Sequence, residues 1–511
     1  MSIVCGIFTA TAFPKFYANW LIFVALVPVV WATYHSKKYA SFFWGFIAGF
    51  TFNCIGLYWL MLTLNFNIDS RLETTAAFCV LQIYLALYWG IWSFVLNIAI
   101  KKFTYPFHTI IFSSCFWVLL EYIRTYFLTG FPWNLLGYSQ WSFIQLIQIA
   151  EFTGVYGVSF LIVFVNLCFA FFIFRLPKKN NFFYKKRLRS QKSYFFVALI
   201  LFVSILSLGF FREEKFKNFG EPERKAVIVQ TNIDQYKKWD DTYKKEIVSK
   251  LERLSLDAAS LKADLVVFPE TVVPNLLYLD SVNLEWARNI VKTCKNLAIV
   301  GAICAENKTL YNALLAFRPD EEIAIHKKNH LVPFGEFIPL RKILSKFFGI
   351  LNIMGDFERG TDKNIFKDKH LTVGGTICSE NFFPNISRIF TKNGAKVFAN
   401  CTNDAWFFDT SAPYQHFVMN IFRAIENRKD VLVSANTGLS GIITTQGKIK
   451  TTAPLFQDFI IEGTFRQNDY KTFYVKFGDI FVYLCIFTML LLLRHFKFKA
   501  TSKQTLKQTL F

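Results

Sequence analysis

Long apolar stretches separated by short basic segments occupy both ends of the chain. A hydrocarbon layer about 30 Å thick needs roughly 17–25 apolar residues of helix to cross it. The pattern therefore predicts eight transmembrane helices, the first of them short. The predicted spans are residues 2–13, 17–34, 41–64, 76–100, 107–128, 152–174, 194–211 and 478–493.

The stretch between residues 212 and 477 follows a different pattern, in which short apolar runs bounded by turn residues alternate with helical segments. The predicted strands are Ala226–Gln230, Asp264–Phe268, Ala298–Ile303, Leu371–Ile377, Lys396–Asn400 and Val431–Ala435. The predicted helices include Thr242–Leu261 and Val282–Asn296. Such alternation favours a layered α/β fold.

These two patterns divide the chain into three parts. Residues 1–211 are predicted to form a helical region with seven spans, and 212–477 an extramembrane α/β domain. Residues 478–511 are predicted to hold the last transmembrane helix and a basic tail.

The charge of the chain supports a membrane protein rather than a nucleic-acid-binding one. The 511 residues include 57 Lys+Arg and 36 Asp+Glu, a net charge of +21, and 53% are hydrophobic. The 212–477 part carries only +6, and the apolar remainder carries +15. With eight helices, the basic segments at 37–38, 101–102, 175–193 and after residue 493 all lie on one side. The positive-inside rule makes that side cytoplasmic, so the domain is predicted on the opposite side.

Three candidate chemical groups each lie at the end of a strand-like run. Glu270 ends the segment Leu265-Val-Val-Phe-Pro-Glu270, and Cys378 ends an apolar run that continues into Ser379-Glu380. The loop between them is Lys327-Lys-Asn-His-Leu-Val-Pro-Phe-Gly-Glu336. Taken singly, such an acid is commonly a helix cap, such a lysine surface charge and such a cysteine part of a core. The cysteine spacing suggests neither a disulfide nor a metal site, so no metal or cofactor is expected.

Together, Glu270, Lys328 and Cys378 resemble the Glu–Lys–Cys triad of the nitrilase superfamily. In that chemistry a carboxylate takes the thiol proton, and an ammonium stabilises the oxyanion of the tetrahedral intermediate. The product of the first half-reaction is a thioester acyl-enzyme. Lys328, rather than its neighbour Lys327, is the lysine of this loop that matches the triad.

Longer motifs resemble the apolipoprotein N-acyltransferase family over essentially the whole chain. They are His330-Leu-Val-Pro-Phe-Gly-Glu336, Thr129-Gly-Phe-Pro-Trp133 and Asn403-Asp-Ala-Trp-Phe407, with Tyr311-Asn312, Gln415-His416 and Val229-Gln-Thr-Asn232. The resemblance implies an αββα nitrilase-like domain on the periplasmic side of a bacterial inner membrane. It also implies transfer of an acyl chain from a phospholipid to the α-amino group of an S-diacylglyceryl-Cys apolipoprotein. A monomer is the default expectation, and nucleic acid is not an expected partner.

The resemblance assigns roles residue by residue. Cys378 is the expected nucleophile, Glu270 the general base and Lys328 the oxyanion-side cation. Glu336 is expected to orient Lys328, and Glu380 to give structural support. Trp239 matches a tryptophan at the lipid entrance. Ser379 stands where the family has Tyr, so only its backbone N–H is expected to serve the oxyanion.

Two other functions are compatible with parts of the sequence. A membrane-tethered carbon–nitrogen hydrolase with the same triad would deliver the acyl group to water instead of an amine. A transporter or scaffold would need no triad. It would more often place ionisable groups near the middle of the membrane, whereas Glu121, Arg124 and Glu151 are predicted near helix ends.

Overall fold

The computed structural model describes the chain at residues 1–67, 70–174, 184–273, 276–278, 296–307, 309–318, 323–339, 341, 356–368 and 370–508. The chain divides into two compact units, one of Met1–Glu213 with Phe477–Phe511 and one of Glu214–Lys476. The predicted helix Val282–Asn296 lies outside the described residues except for Asn296. The side chains of the basic segment 175–193 also lie outside them.

The first unit is built from helices. They span Ser2–Thr11, Ile22–Ala25, Val27–His35, Lys38–Gly56, Trp59–Asn67, Arg71–Lys102, Pro106–Tyr126, Ile144–Ile147, Ala150–Thr153, Val155–Ile173, Tyr184–Lys215 and Ile480–Gln508. Four segments are long and apolar enough to cross a membrane, namely Arg71–Lys102, Pro106–Thr129, Val155–Ile173 and Tyr194–Lys215. A pair bent by 61°, Lys38–Gly56 with Trp59–Asn65, makes a possible fifth span. Three further predicted spans coincide with shorter apolar helices, so the described residues support four or five of the eight.

The predicted span 17–34 is divided into three short helical pieces instead of one. Pro28 lies in the first turn of Val27–His35, where a proline is tolerated but cannot continue a preceding helix. Asn166 binds two backbone groups at this break. Its Oδ1 accepts from the Leu26 N–H at 2.9 Å, and its Nδ2 donates to the Ile22 carbonyl at 2.8 Å. A buried side chain from another helix thus stabilises the break.

The bend after Gly56 allows a loop to approach the helix closely. A Cβ atom at Gly56 would lie 2.7 Å from Asn134 Nδ2, so a larger residue would displace that loop. Trp59, just beyond the bend, packs its ring 4.7 Å from that of Trp133. Within the Thr129–Trp133 motif, Pro132 and Trp133 are therefore buried in the helical unit, whereas Thr129 is exposed.

The second unit contains two β-sheets. Its strands are β1 Arg224–Gln230, β2 Leu265–Val267, β3 Leu277–Tyr278, β4 Leu297–Glu306, β5 Thr309–Phe317, β6 Ala324–Lys327, β7 Ile365–Lys367, β8 Thr372–Ile377, β9 Val397–Thr402, β10 Val431–Ala435, β11 Gly441–Ile443, β12 Ile449–Thr452 and β13 Phe459–Phe465. One sheet has the order β13-β1-β2-β4-β5-β6, with β3 beside β4. The other has the order β12-β11-β10-β9-β8-β7. All six predicted strands are confirmed.

The two sheets pack face to face with helices outside them. Buried residues of both sheets, such as Ile228, Val267, Val373 and Leu432, form one core cluster between them. The Lys244–Ser260 helix, where Thr242–Leu261 was predicted, packs on the outer face of the first sheet. Helices Pro384–Lys392 and Ala412–Asn427 contact the second sheet. This arrangement has the helix–sheet–sheet–helix layering that the resemblance implies.

Candidate active site

Three strand ends converge in the second unit. Glu270 follows β2 and Lys328 follows β6, both in the first sheet, whereas Cys378 follows β8 of the second sheet. Lys328 Nζ lies 3.4 Å from Glu270 Oε1. Both groups are near enough to Cys378 for their charges to act on its thiol. Because parallel strands end at a common edge, the two sheets bring a carboxylate, an ammonium and a thiol together.

The lysine is held between two carboxylates. Lys328 Nζ lies 2.9 Å from Glu336 Oε1, closer than its contact with Glu270, and its side chain is only 1% exposed. Burial alone would lower the pKa of Lys328, but Glu336 and Glu270 together raise it above its ordinary value. The ammonium therefore keeps its charge inside the site.

Asn312 of β5 bridges the same two acids. Its Nδ2 donates to Glu270 Oε1 and to Glu336 Oε1, at 2.7 Å in each case. Two carboxylates sharing one amide and one ammonium form a compact network. The sequence placed Asn312 in a motif but assigned it no role. Its only local signal is a polar residue in an otherwise apolar strand.

Glu270 is fixed at both oxygens. Its Oε2 accepts the backbone N–H of Asn403 at 2.9 Å, while Oε1 faces Asn312 and Lys328. Thr271, directly after it, has a φ of +45°, an unusual value for a β-branched residue. Gly301 of β4 lies against this turn, since a Cβ there would approach Glu270 Cα within 2.5 Å.

Cys378 lies at the start of the short helical turn Cys378–Phe382 and has a φ of +46°. Burial and the Glu270 carboxylate raise the pKa of the Cys378 thiol well above its ordinary value, although Lys328 and Thr402 act in the opposite direction. At neutral pH the resting thiol is therefore protonated. A nucleophile in that state needs a base that removes its proton during attack.

An aspartate–histidine pair supports the backbone of Cys378. His416 Nδ1 lies 2.7 Å from Asp404 Oδ1, and its Nε2 lies 3.3 Å from the carbonyl oxygen of Cys378. Both side chains are buried. Sequence motifs contained these residues, but their pairing depends on contact between the Asp404–Phe407 turn and the Ala412–Asn427 helix.

The remaining predicted site residues occupy distinct positions. Glu336 belongs to the network with Lys328, and Glu380 Oε1 accepts the Asn329 N–H at 2.6 Å. Ser379 is buried, and its hydroxyl has no hydrogen-bond partner among the described residues. Trp239 belongs to the 234–240 segment and is 49% exposed. Lys238, beside it, is buried and was not identified from the sequence.

Among the described residues, no group of three or more His, Cys, Asp and Glu side chains is suited to holding a metal ion.

Two family models match separate parts of the chain. Residues 5–168 match the model of the apolipoprotein N-acyltransferase N-terminal domain, and residues 225–473 match that of carbon-nitrogen hydrolase. The chain is 32% identical to an apolipoprotein N-acyltransferase of Geobacter metallireducens, over 95% of this chain and 92% of the relative. It is also 32% identical to one of Rickettsia typhi, over 88% of each chain.

Among solved structures, the chain resembles a carbon-nitrogen hydrolase superfamily protein of Xanthomonas campestris. The TM-score is 0.37 and the identity 16%, over 48% of this chain and 91% of that one.

Proposed function

The chain belongs to the apolipoprotein N-acyltransferase family, and we propose that its acyl transfer proceeds through a thioester on Cys378. It is a membrane acyltransferase with a nitrilase-like catalytic fold, and its function implies lipid and lipoprotein substrates. The convergence of Glu270, Lys328 and Cys378 at neighbouring strand ends carries the proposed mechanism.

In the first half-reaction, the Cys378 sulfur attacks the ester carbonyl of a membrane phospholipid. Glu270 accepts the thiol proton as the carbon–sulfur bond forms. The Lys328 ammonium and the Ser379 backbone N–H stabilise the oxyanion of the tetrahedral intermediate. The carbon–oxygen bond then breaks, and the leaving alkoxide takes the proton from Glu270, which releases a lysophospholipid.

In the second half-reaction, the α-amino group of an S-diacylglyceryl-Cys apolipoprotein attacks the thioester. Glu270 accepts a proton from the attacking amine, and the same oxyanion groups act again. The carbon–sulfur bond breaks, the thiol regains a proton, and an amide remains on the lipoprotein. Water in place of the amine would make the protein a membrane-tethered hydrolase.

The raised pKa of the Cys378 thiol favours this order of events. A protonated thiol does not attack an ester until a base is positioned to receive its proton, which limits unproductive reactions of the resting enzyme. Glu336 and Asn312 hold Lys328 and Glu270, and Glu380 holds the lysine loop beside the nucleophile turn. Trp239 is assigned to the lipid entrance.

We also propose the arrangement of the chain in the membrane. Eight spans, seven of them in 1–211 and one in 478–511, put the basic segments in the cytoplasm and the 212–477 domain in the periplasm. Both substrates are anchored in the inner membrane, so a tethered active site at its outer surface meets them without extraction. An impermeant thiol reagent that labelled the domain only from the cytoplasmic face would contradict this topology.

The mass of the enzyme after incubation with phospholipid tests the mechanism. Intact wild-type protein should gain one acyl group, and hydroxylamine should remove it, as expected for a thioester. C378A should form no adduct and no N-acylated lipopeptide, whereas C304A, which alters a buried cysteine of β4, should retain both. N-acylation by C378A would overturn the assignment. Release of free fatty acid without N-acylation of a diacylated lipopeptide would indicate a hydrolase.

A further inference from the structure

A second buried lysine lies on the Glu270 side of the site, and the proposed reaction does not use it. Lys238 is 3% exposed, and its Nζ donates to Thr271 Oγ1 at 2.7 Å. The ammonium also lies 5.7 Å from the centroid of the Trp239 ring. Among the described residues, the carboxylate whose charge acts on this ammonium is that of Glu270.

This burial is energetically unfavourable by itself. An ammonium carries three donors, and a single hydroxyl acceptor leaves its lost hydration largely uncompensated. Burial lowers the pKa of Lys238 to about 8, while the nearby Glu270 carboxylate opposes the change. The group is therefore still mainly charged at neutral pH. Perturbed buried groups of this kind concentrate at functional sites.

The balance of charges around Glu270 indicates what Lys238 contributes. Two carboxylates, Glu270 and Glu336, share the one ammonium of Lys328. The other contacts to Glu270 come from neutral groups, the Asn312 amide and the Asn403 N–H. Lys238 supplies a second positive charge beside Thr271, the residue that directly follows Glu270. The cluster then contains two acids and two cations.

The hydrogen bond of Lys238 also acts on backbone geometry. Its acceptor, Thr271, has the left-handed φ described above and directly follows Glu270. A strained residue keeps its conformation only when surrounding contacts hold it there. The Thr271 hydroxyl provides such a contact, since it is bound from the 234–240 segment.

We propose that Lys238 is a positioning residue that acts through Glu270. Its hydrogen bond to Thr271 holds the Glu270 turn, and its positive charge stabilises the Glu270 carboxylate that accepts the Cys378 proton. This proposal depends on the role of Glu270 as base in the proposed function. It predicts that loss of the charge at position 238 changes the pH dependence of the first half-reaction.

Four variants of the full-length protein in detergent separate charge from packing. K238M removes both the charge and the hydrogen bond, K238Q keeps a donor without charge, and K238R keeps both. K250M is the matched control, because Lys250 Nζ donates to the carbonyl of Asn232 at 3.1 Å in the same domain without approaching Glu270. Two rates are measured between about pH 5 and about pH 9: acylation by phospholipid, and alkylation of the Cys378 peptide by iodoacetamide.

K238M and K238Q should reach half of their maximal acylation rate at a pH about one unit above wild type. They should therefore be about tenfold slower on the acid side, since one unit corresponds to a tenfold change in the ionised fraction. Alkylation should slow in the same direction, because Glu270 would then accept the Cys378 proton less readily. K238R and K250M should keep the wild-type profile.

Unchanged pH profiles in both neutral variants, with only a lower unfolding temperature, would reduce Lys238 to a structural role and overturn the proposal. A shift in K238M alone would overturn it too, because the charge would then be irrelevant. If K238M does not fold, K238Q decides. Failure of the thioester mechanism would give a different result from failure of the Lys238 role. Wild type would then form no acyl adduct, but the pH dependence of Cys378 alkylation would still show whether Lys238 matters.

Discussion

Glu380 Oε1 accepts a hydrogen bond of 2.6 Å from the backbone N–H of Asn329. Asn329 directly follows Lys328, and Glu380 lies two residues after Cys378. The other carboxylate oxygen accepts the N–H of Ile377 at 2.9 Å, on the near side of the nucleophile. One buried carboxylate thus joins the loop that carries the ammonium to the turn that carries the thiol.

E380Q should weaken this junction. An amide keeps one acceptor oxygen but turns its NH₂ group toward one of the backbone N–H donors, which leaves a buried donor unpaired. We expect a loss of about 1–3 kcal/mol in the free energy of unfolding, together with slower acyl-enzyme formation. Thermal unfolding and intact mass measure the two effects. E462Q, at a half-exposed pair with Lys225, is the control and should change neither.

The same carboxylate predicts a pH dependence of stability. Burial by itself raises the pKa of Glu380, but His326 and the N–H groups of Ile377 and Asn329 outweigh it and lower the pKa below its ordinary value. The stabilisation from a lowered carboxyl pKa is present above the unfolded-state value and is lost as pH falls through the folded-state value. Wild type should therefore lose stability on acidification more steeply than E380Q. Parallel curves would contradict this assignment.

N312D places a third carboxylate between Glu270 and Glu336. Its oxygens would replace an amide nitrogen that lies 2.7 Å from each acid, so like charges would meet in a buried space. A proton taken up there competes with the base function of Glu270. We expect acyl transfer to fall on the order of a hundredfold or more, and further than in N312A. The exposed Asn364 provides the control N364D, and equal activity of N312D and N312A would show that charge is unimportant.

G301A tests whether the Glu270 turn tolerates displacement. The new Cβ would lie 2.4 Å from the Pro269 carbonyl oxygen and 2.5 Å from Glu270 Cα, both backbone atoms with little freedom to move. We expect a cost of about 1–3 kcal/mol and a marked loss of acylation rate. In G335A, beside the other acid, the nearest atom is 3.4 Å away, so activity should be retained. Equal losses in both variants would point to general destabilisation.

The sequence predicted Glu270 and Cys378 because each ends an apolar run, and Lys328 through the resemblance to the Glu–Lys–Cys triad. It did not single out Lys238, since adjacent lysines at 237 and 238 look alike in a basic segment. Only the contact with Thr271, 33 residues away, distinguishes the buried one from its exposed neighbour. Asn312 was similarly inconspicuous, because its function depends on two acids brought together by folding.

Secondary structure was also predicted only where the local sequence pattern is strong. The six predicted strands lie within apolar runs, whereas β12 is largely exposed and the short strands β7 and β11 have no such run around them. In the helical unit, hydropathy identified the apolar stretch at 17–34. The contact with Asn166 that stabilises its break lies about 140 positions away, and no local pattern encodes it.

Arg212 and Glu151 form a buried ion pair in the helical unit. Arg212 Nε donates to Glu151 Oε2 at 2.9 Å, and a second guanidinium nitrogen contacts Glu151 Oε1. The pair joins the Tyr184–Lys215 helix to the short helix Ala150–Thr153. R212M would leave the fully buried Glu151 without its cation, so we expect a loss of about 3–5 kcal/mol, measured by unfolding in detergent.

The double variant R212M/E151Q should be more stable than R212M, because removing both charges also removes the uncompensated one. K217M is the control, since Lys217 and Glu214 form an exposed pair at 3.6 Å that should contribute less than about 1 kcal/mol. Two results would contradict this account: R212M no less stable than K217M, or no recovery in the double variant. The helices would then be joined by apolar packing, and the bidentate pair would be a consequence of that packing instead of its support.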